Sequence, residues 1–184
     1  MSISDSLDRL IARCITPEGP RPEPFDREWR SPCERGAPFT GPDGTPLVDW
    51  RPVRRDAGVD NPLDGVERAL ALELHPDAKF YYGSWWSACI AARAPDGPVS
   101  LIFLWNADDA ERLAENLIGH ALAKRQQRSP LTVFFANTDN DSEYFLSIDN
   151  ATGAVLLEEP GRPPIRQVAP SLAAFLDSLE ATAV

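Results

Sequence analysis

The residues that could perform chemistry are few and widely separated. The chain contains two histidines, His75 and His120, and three scattered cysteines, Cys14, Cys33 and Cys89. A zinc site needs three or four suitable ligands, and His120 has no carboxylate or thiol three or four residues away. Cys33 could be a nucleophile, but no neighbouring histidine indicates a lowered thiol pKa. We therefore expect no metal, no cofactor and no catalytic centre.

Familiar catalytic and ligand-binding motifs are also missing from the sequence. There is no glycine-rich dinucleotide fingerprint, phosphate-binding loop or nucleophile elbow. The acidic run Asp139–Glu143 lacks the ligand pattern of a calcium loop, and we interpret it as an exposed turn. His75 precedes a proline at the predicted end of a helix, where a cation would favour the helix dipole.

The segment Trp105–Arg125 has the start and stop signals of one amphipathic helix. Asp108 is the predicted N-cap, and Glu111 three residues later would complete a capping box. Basic residues follow the last turn, and Ser129-Pro130 ends the helix. Helical spacing predicts one apolar stripe, made of Ala110, Leu113, Ala114, Leu117, Ile118, Ala121 and Leu122.

The centre of this helix is unusual for a solvated surface. Gly119 costs about 1 kcal/mol relative to alanine in a helix interior. It lies on the side away from the apolar stripe, whereas Asp109, Asn116 and His120 share one flank of the stripe. One interpretation is a solvated face that tolerates a glycine. The other is a surface that another backbone approaches closely.

Composition limits the class of protein and of partner. The chain has 184 residues, of which 43% are hydrophobic and 25% charged, as in globular domains. Its formal net charge of −10 argues against nucleic-acid binding and favours basic partners. The first residues lack the pattern of a signal peptide, and unpaired cysteines suit a reducing compartment. These features predict a cytoplasmic protein.

The coarse element pattern predicts an α+β domain over residues 1–184. Residues 17–62 hold ten of the 18 prolines, and we expect an ordered wrap over the core with little regular structure, not a separate domain. A turn is predicted at Pro42-Asp43-Gly44. Helices are predicted at the N-terminus, from Asn61 to about Leu74, and at the C-terminus with Pro170 in its first turn.

Strand patterns dominate the remainder of the chain. The predicted strands are 79–93, 99–105, 131–136, 144–148, 154–158 and 165–168. Most neighbouring strands are joined by short turns, which favours a mostly antiparallel mixed sheet with helices packed on it.

Acidic residues concentrate in two regions. Six acids and one base lie between Asp56 and Asp77, and eight acids and two bases lie after Ser129. An acidic surface can simply keep a protein soluble. It can also steer a basic partner and speed the encounter.

Several motifs together resemble the family of the SecY-interacting protein Syd. The helix segment WNADDAERLAENLIGH is the most specific match, with Glu115, Asn116, Gly119 and His120 in its motif. Other segments resemble the family in the same order: Ser31-Pro32-Cys33, Trp50-Arg51-Pro52, Val66–Ala69, Phe80–Tyr82, Leu131–Ala136 and Leu172–Leu176.

This resemblance implies a single α+β domain related to the SUKH superfamily. It also implies a peripheral protein on the cytoplasmic side of the bacterial inner membrane that binds the SecY translocon subunit. Cytoplasmic loops of such a membrane protein carry excess Lys and Arg, which complements a chain of charge −10. Anionic lipids would repel the chain, so membrane attachment should be indirect. We expect a monomer.

The leading hypothesis is therefore a non-enzymatic binding protein for basic SecY loops. The candidate contact residues are Asp60, Asp64, Glu67, Asp108, Asp109, Glu115, Trp86 and Trp105. For the two tryptophans, packing in the core is an equally good interpretation. The alternative function is a SUKH-type immunity protein that neutralises a basic toxin, because the wider superfamily contains such members.

Overall fold

The computed structural model describes residues 2–14, 20–56, 60–139 and 143–181. In these residues the helices are α1 Ile3–Cys14, α2 Asp64–Leu70, α3 Pro76–Ser84, α4 Ala107–Gln126 and α5 Leu172–Ser178. The strands are β1 Glu23–Pro24, β2 Glu34–Thr40, β3 Pro46–Trp50, β4 Val53–Arg54, β5 Trp85–Trp86, β6 Ile90–Ala94, β7 Gly97–Leu101, β8 Thr132–Asn137, β9 Phe145–Asp149, β10 Val155–Glu158, β11 Arg166–Ala169 and β12 Glu180–Ala181.

A seven-stranded sheet forms the centre of the molecule. Its order is β11-β10-β9-β8-β7-β6-β12, and every neighbouring pair is antiparallel. Consecutive strands from β6 to β11 are neighbours, as is usual for sequential strands, although α4 lies between β7 and β8 in the chain. The predicted α+β class with a mostly antiparallel sheet is confirmed.

Helices meet this sheet through different side chains of β8. Phe135 is fully buried and contacts Phe175 of α5 and Tyr81 of α3. The neighbouring Phe134 contacts His120 of α4. Strand β8 therefore anchors both α4 and the group formed by α3 and α5.

The proline-rich segment contains more regular structure than the sequence indicates. Strands β1, β3 and β2 form a three-stranded antiparallel sheet, so the expectation of sparse structure was wrong. The prolines fit because Pro24 and Pro38 lie on edge strands and Pro46 begins β3, where a missing N–H is tolerated. The predicted turn is present, with Gly44 at a φ of 87°. Residues 17–19 and 57–59 of the segment lie outside the described residues.

The predicted strand 79–93 was wrong over its first half. Residues Pro76–Ser84 form α3, and only Ile90–Ala94 form a long strand. His75 is the N-cap of α3: its Nδ1 accepts a hydrogen bond from the Asp77 amide at 3.2 Å. It therefore lies at the start of a helix and not at the end of one. A histidine cap is a weak sequence signal, because Ser, Thr, Asp and Asn are the usual N-caps.

The remaining helices agree with prediction except at their ends. Helix α2 is shorter than expected because Ala71 adopts a left-handed conformation with φ 52°. Helix α5 is capped by the Ser171 hydroxyl, which accepts from the Ala174 amide, so Pro170 precedes the helix. None of the described helices is both long and apolar enough to cross a membrane.

Candidate functional site

The N-terminus of α4 is fixed by a reciprocal cap that differs from the predicted one. The Asn106 Oδ1 accepts a hydrogen bond from the Asp109 amide at 2.8 Å. In return, the Asp109 carboxylate accepts from the Trp105 amide at 3.0 Å. The capping box therefore begins at Asn106, and Asp108 is exposed in the first turn.

The same end of α4 is tied to the segment that precedes β2. The Ser31 hydroxyl donates to the Trp105 carbonyl at 2.5 Å, and the Asn106 amide group donates to the Arg30 carbonyl at 3.0 Å. The Trp105 indole N–H donates to the Trp29 carbonyl at 3.2 Å. Ser31 and Trp105 are therefore positioning residues for the helix end.

Cys33 belongs to a small apolar cluster. It is fully buried with Trp50 and Ala88, and burial raises the pKa of its thiol. Pro32 is exposed and Pro52 half-buried on either side of this cluster. The Trp50 ring meets the edge of Trp105 with centroids 5.9 Å apart. A buried thiol of raised pKa packs as an apolar group and is a poor nucleophile.

A cavity of about 550 Å³ lies beside the second half of α4. Its walls come from α4, from β8 and β9, and from the connection between β10 and β11. Its lining includes Gly119 of the helix, the ring-bearing residues His120, Phe134, Tyr144 and Phe145, the acidic residues Glu143 and Glu159, the cation Lys124, and the amide residues Gln127 and Asn137.

A buried ion pair lies at the base of this cavity. Lys124, which lines the cavity, pairs with Glu158 of β10, and both side chains are almost completely inaccessible. The Ser147 hydroxyl donates to the other Glu158 oxygen at 2.5 Å. The two charges neutralise each other and hold α4 against β10. Removal of one partner from such a pair typically costs 3–5 kcal/mol.

His120 bridges α4 to β8 next to this pair. Its Nε2 lies 2.9 Å from the Thr132 hydroxyl, and its ring meets the edges of Phe134 and Phe145. Burial lowers the pKa of His120, and the nearby Glu158 carboxylate offsets this only in part. A neutral, hydrogen-bonded imidazole among phenyl rings fits packing. Among the described residues, no group of three or more His, Cys, Asp or Glu side chains could hold a metal ion.

Among the residues that the structure describes, Gly119 has no neighbour that excludes a side chain. A Cβ built on it would have no heavy atom within 4 Å outside the local helix. Of the two interpretations of this glycine, the described residues therefore fit the solvated face, and none of them brings another backbone close to Gly119. The adjacent motif residues Glu115 and Asn116 are exposed.

The first acidic cluster is partly neutralised. Lys79 pairs with Asp64 at 2.8 Å and with Glu67 at 2.7 Å, and these hydrogen bonds lower the pKa of Asp64. Glu67 also accepts from the Leu74 amide at 2.8 Å. Asp60, which precedes Asp64 by four residues in the sequence, is exposed.

Three other carboxylates form an exposed strip on α4. Asp108, Glu111 and Glu115 are spaced three and four residues apart, which places them on one helix face. All three are exposed, and none forms an ion pair within the ranges that the structure describes. We call these residues the acidic strip.

The two candidate tryptophans are half-buried. The Arg55 guanidinium lies 3.8 Å from the ring centroid of Trp86, and Trp105 packs on Trp50 as described above. Both rings therefore have packing roles.

Comparison with known proteins identifies the family. The family model described as Syd protein (SUKH-2) matches residues 5–181. This chain belongs to the Syd family. It is 42% identical over 158 residues to Protein Syd of Pseudoalteromonas atlantica, covering 86% of this chain and 82% of that relative. Protein Syd of Alteromonas mediterranea is 37% identical over 183 residues, covering 97% and 96%.

The Syd motif residues lie at two places in the fold. Ser31, Cys33 and Trp50 surround the first turn of α4, whereas Gly119 and His120 line the cavity near its other end. The buried residues Lys124, Glu158, Ser147 and Thr132 were missed by sequence reasoning. Only the strand alternation that points Ser147 and Glu158 toward one face could have signalled them.

Proposed function

We propose that this chain is a non-enzymatic protein that binds the SecY translocon subunit at the cytoplasmic face of the inner membrane. In this proposal it acts as a single-domain monomer and regulates the translocase or monitors its quality. The observation that carries the proposal is membership of the Syd family along almost the whole chain. The net charge of −10 supports it, because cytoplasmic loops of membrane proteins are rich in Lys and Arg.

The acidic strip is the contact surface that the charges favour. Its carboxylates are exposed on α4 and have no ion-pair partner among the described residues, so they are accessible to an incoming partner. Asp64 and Glu67 are less suited because Lys79 already pairs with both, and Asp109 is engaged in the helix cap. Since anionic headgroups repel an acidic protein, attachment to the membrane would run through SecY.

Charge reversal on the strip tests this function. We expect the triple variant Asp108→Lys, Glu111→Lys and Glu115→Lys to associate about tenfold or more slowly with vesicles that contain SecY. The difference in association rate between the variant and the wild type should shrink as salt is added, because ionic screening removes the electrostatic steering of the wild type. Association is measured by stopped-flow or surface-based kinetics against vesicles of the same lipids without SecY.

A matched control carries the same change in net charge. Glu28→Lys, Asp49→Lys and Glu73→Lys alter exposed acids outside α4, and we expect a much smaller effect on the association rate. Equal slowing by both triple variants would show a general charge effect and contradict the strip as the contact.

The SUKH-2 designation of the family favours one further function, an immunity protein that neutralises a basic toxin. Affinity purification from solubilised membranes and from the soluble fraction separates the two functions. Recovery of SecY supports the first. Recovery of a small basic protein encoded beside this chain's gene supports the second and contradicts the first.

A further inference from the structure

The seven-stranded sheet is curled so strongly that an ion pair joins two of its distant parts. Strands β11 and β6 are separated by four strands in the sheet order, which corresponds to about 24 Å in a flat sheet. Yet Arg166 of β11 pairs with Asp96, in the turn that follows β6, at 2.7 Å. The sheet is therefore an open half-barrel, and this pair connects its two sides.

A second cavity, of about 280 Å³, lies inside the half-barrel beside this ion pair. Leu157 is paired with Leu146 on one side and with Arg166 on the other, so these three side chains share one face of the sheet. The preceding and following residues, Phe145 and Glu158, face α4 instead. The second cavity is therefore on the opposite face of the sheet from α4, and we call it the half-barrel cavity. Its apolar wall consists of Ala94, Val99, Leu146, Leu157, Val168 and Phe175.

The described residues leave part of this apolar wall uncovered. Helix α5, which contributes Phe175, has only seven residues, and β6 contributes the small side chain of Ala94. Leu157 and Val168 pack against the main core, yet both are only half-buried. Because cavities lined by aliphatic and phenyl groups take up small apolar molecules, the wall fits the apolar part of a ligand.

Arg166 lies at the mouth of the half-barrel cavity and has unused hydrogen-bond donors. Its side chain is 47% exposed. Among the described residues it forms one hydrogen bond, to the Asp96 carboxylate, although a guanidinium has five N–H groups. The remaining donors can hold a second carboxylate in the bidentate geometry that arginine favours. Asp96 and the exposed Asp139 also line the mouth, so an anion must contact Arg166 directly to bind there.

We propose that the half-barrel cavity binds a free medium-chain carboxylic acid, with its alkyl tail against the apolar wall and its carboxylate on Arg166. A methylene group is similar in size to a water molecule, which takes about 30 Å³ in the liquid, so the cavity accommodates about eight carbons. The inference goes beyond the proposed function and does not depend on it, because no protein partner takes part in the binding.

A series of straight-chain carboxylates tests the tail. Octanoate should bind the full chain saturably in calorimetry and should shift the methyl signals of Leu146, Leu157 and Val168 in NMR spectra. Hexanoate should bind about fifteenfold more weakly, because each buried methylene strengthens binding about fourfold. Dodecanoate should gain little over octanoate, since the cavity is then full. An absence of saturable octanoate binding, or a steady gain up to dodecanoate, would overturn the half-barrel cavity as the site.

Octylammonium and Arg166→Gln test the carboxylate. Octylammonium should bind about tenfold more weakly than octanoate, despite the net charge of −10, because its ammonium group would meet Arg166. Arg166→Gln should weaken octanoate binding about tenfold and leave the Tm nearly unchanged, since its exposed ion pair contributes little to stability.

The matched control is Arg93→Gln, which removes an exposed arginine that does not line the cavity. It makes the same change in net charge and should leave octanoate binding unchanged. Equal weakening by both variants, or octylammonium binding as tight as that of octanoate, would contradict Arg166 as the partner of a carboxylate.

Filling the cavity tests its location. Val168→Phe places a ring in the cavity from the edge strand β11, and Ala94→Leu fills it from β6 on the opposite side. Both variants should lose octanoate binding while circular dichroism shows a folded chain, and the second variant keeps the test valid if the first does not fold. Octanoate binding that persists in a folded variant would overturn the site. None of these measurements involves SecY, so the proposed function stands or fails separately.

Discussion

The imidazole of His120 is stabilised in its neutral form by its surroundings. Thr132 provides a hydrogen bond at 2.9 Å, and Phe134 and Phe145 cover the ring. Lys124 and Glu158 are the charged groups that act on it, and the net result is a lowered pKa caused mainly by burial. Protonation is therefore easier in the unfolded chain than in the folded one.

This difference predicts an acid-sensitive contribution to stability. Above the unfolded pKa of about 6.5, His120 is neutral in both states and contributes no pH dependence. As the pH falls below that value, the unfolded state binds the proton first, so the free energy of unfolding decreases. We expect His120→Gln to flatten the Tm curve of the wild type between about pH 7 and pH 5.

The quantity to compare is the difference between the Tm curves of the wild type and of His120→Gln. Acidic residues titrate in both proteins near about pH 5, and taking the difference removes their contribution. His75→Gln serves as the second control because it alters the other histidine. An unchanged slope in His120→Gln would contradict the assignment to His120.

At the same scale, the sequence predicted that His120 is not a catalytic group but could not predict its contacts. In the sequence, Lys124 is only one of several basic residues near the C-terminus of the helix, yet in the structure it is buried against Glu158. The two residues are 34 positions apart in sequence. No local pattern reports such a pair, because only the packing of α4 on the sheet brings it together.

Among the elements, α4 depends on a cap that local pattern alone misplaced. Asp108 and Asn106 are both good N-cap residues, and the spacing to an acidic residue three positions later fits either of them. The contacts of Trp105 and Asn106 with residues 29–31 decide the choice. These long-range hydrogen bonds therefore place the N-cap of α4 at Asn106, two residues before the predicted Asp108.

The corrected cap predicts different costs for two neighbouring substitutions. Asn106→Ala should lower the free energy of unfolding by about 1–2 kcal/mol, because a helix amide loses its acceptor. Asp108→Ala should lose only a dipole interaction of about 0.3–1 kcal/mol, which salt screens. Urea unfolding at low salt and at about 1 M NaCl measures both. If Asp108→Ala lowered the free energy of unfolding more than Asn106→Ala did, and salt did not reduce that loss, Asp108 would be the N-cap and the cap at Asn106 would be contradicted.

Strands β8 to β11 were predicted within one or two residues of their bounds, because hairpin turns and alternation are local signals. Helix α3 was not, since its buried tyrosines, Tyr81 and Tyr82, have strand propensity. Their burial within the core stabilises the helix and overrides that preference.

At the scale of the whole molecule, the N-terminal helix closes the fold against the C-terminal one. Leu7, Leu10 and Ile11 of α1 are buried in the main core. Arg9 pairs with Asp177 of α5 at 2.6 Å and lowers the pKa of that carboxyl. Burial of these apolar side chains provides most of the free energy that stabilises α1 in the fold, because an exposed ion pair contributes only about 0–1 kcal/mol.

Deletion of residues 2–14 should therefore prevent stable folding. The three buried side chains contribute roughly 5–9 kcal/mol, a loss comparable to the whole stability of a typical domain. Circular dichroism and hydrogen-exchange measurements would detect the unfolded chain. Asp177→Ala is the control that removes the ion pair and the hydrogen bond from the Ser6 hydroxyl but none of the apolar burial, and it should remain folded. A cooperatively folded truncated chain would contradict this role of α1.

The fold class was predictable at this scale because the order of strands and turns limits the possible sheets. The position of the site was not. Two distant motifs, Ser31–Cys33 and the centre of α4, lie at different places along one helix: the first at its start and the second beside the cavity that His120 lines. Only the three-dimensional path of the chain shows that separation.

The small cluster around Cys33, Trp50 and Ala88 has a consequence for how the molecule assembles. It is separate from the main core, and its members lie far apart in the chain. Closing such long loops is entropically costly until β6 and α4 are already in place. The three-stranded sheet should therefore dock late in folding and be the first part to open, as a sub-globular unit that leaves the seven-stranded sheet intact.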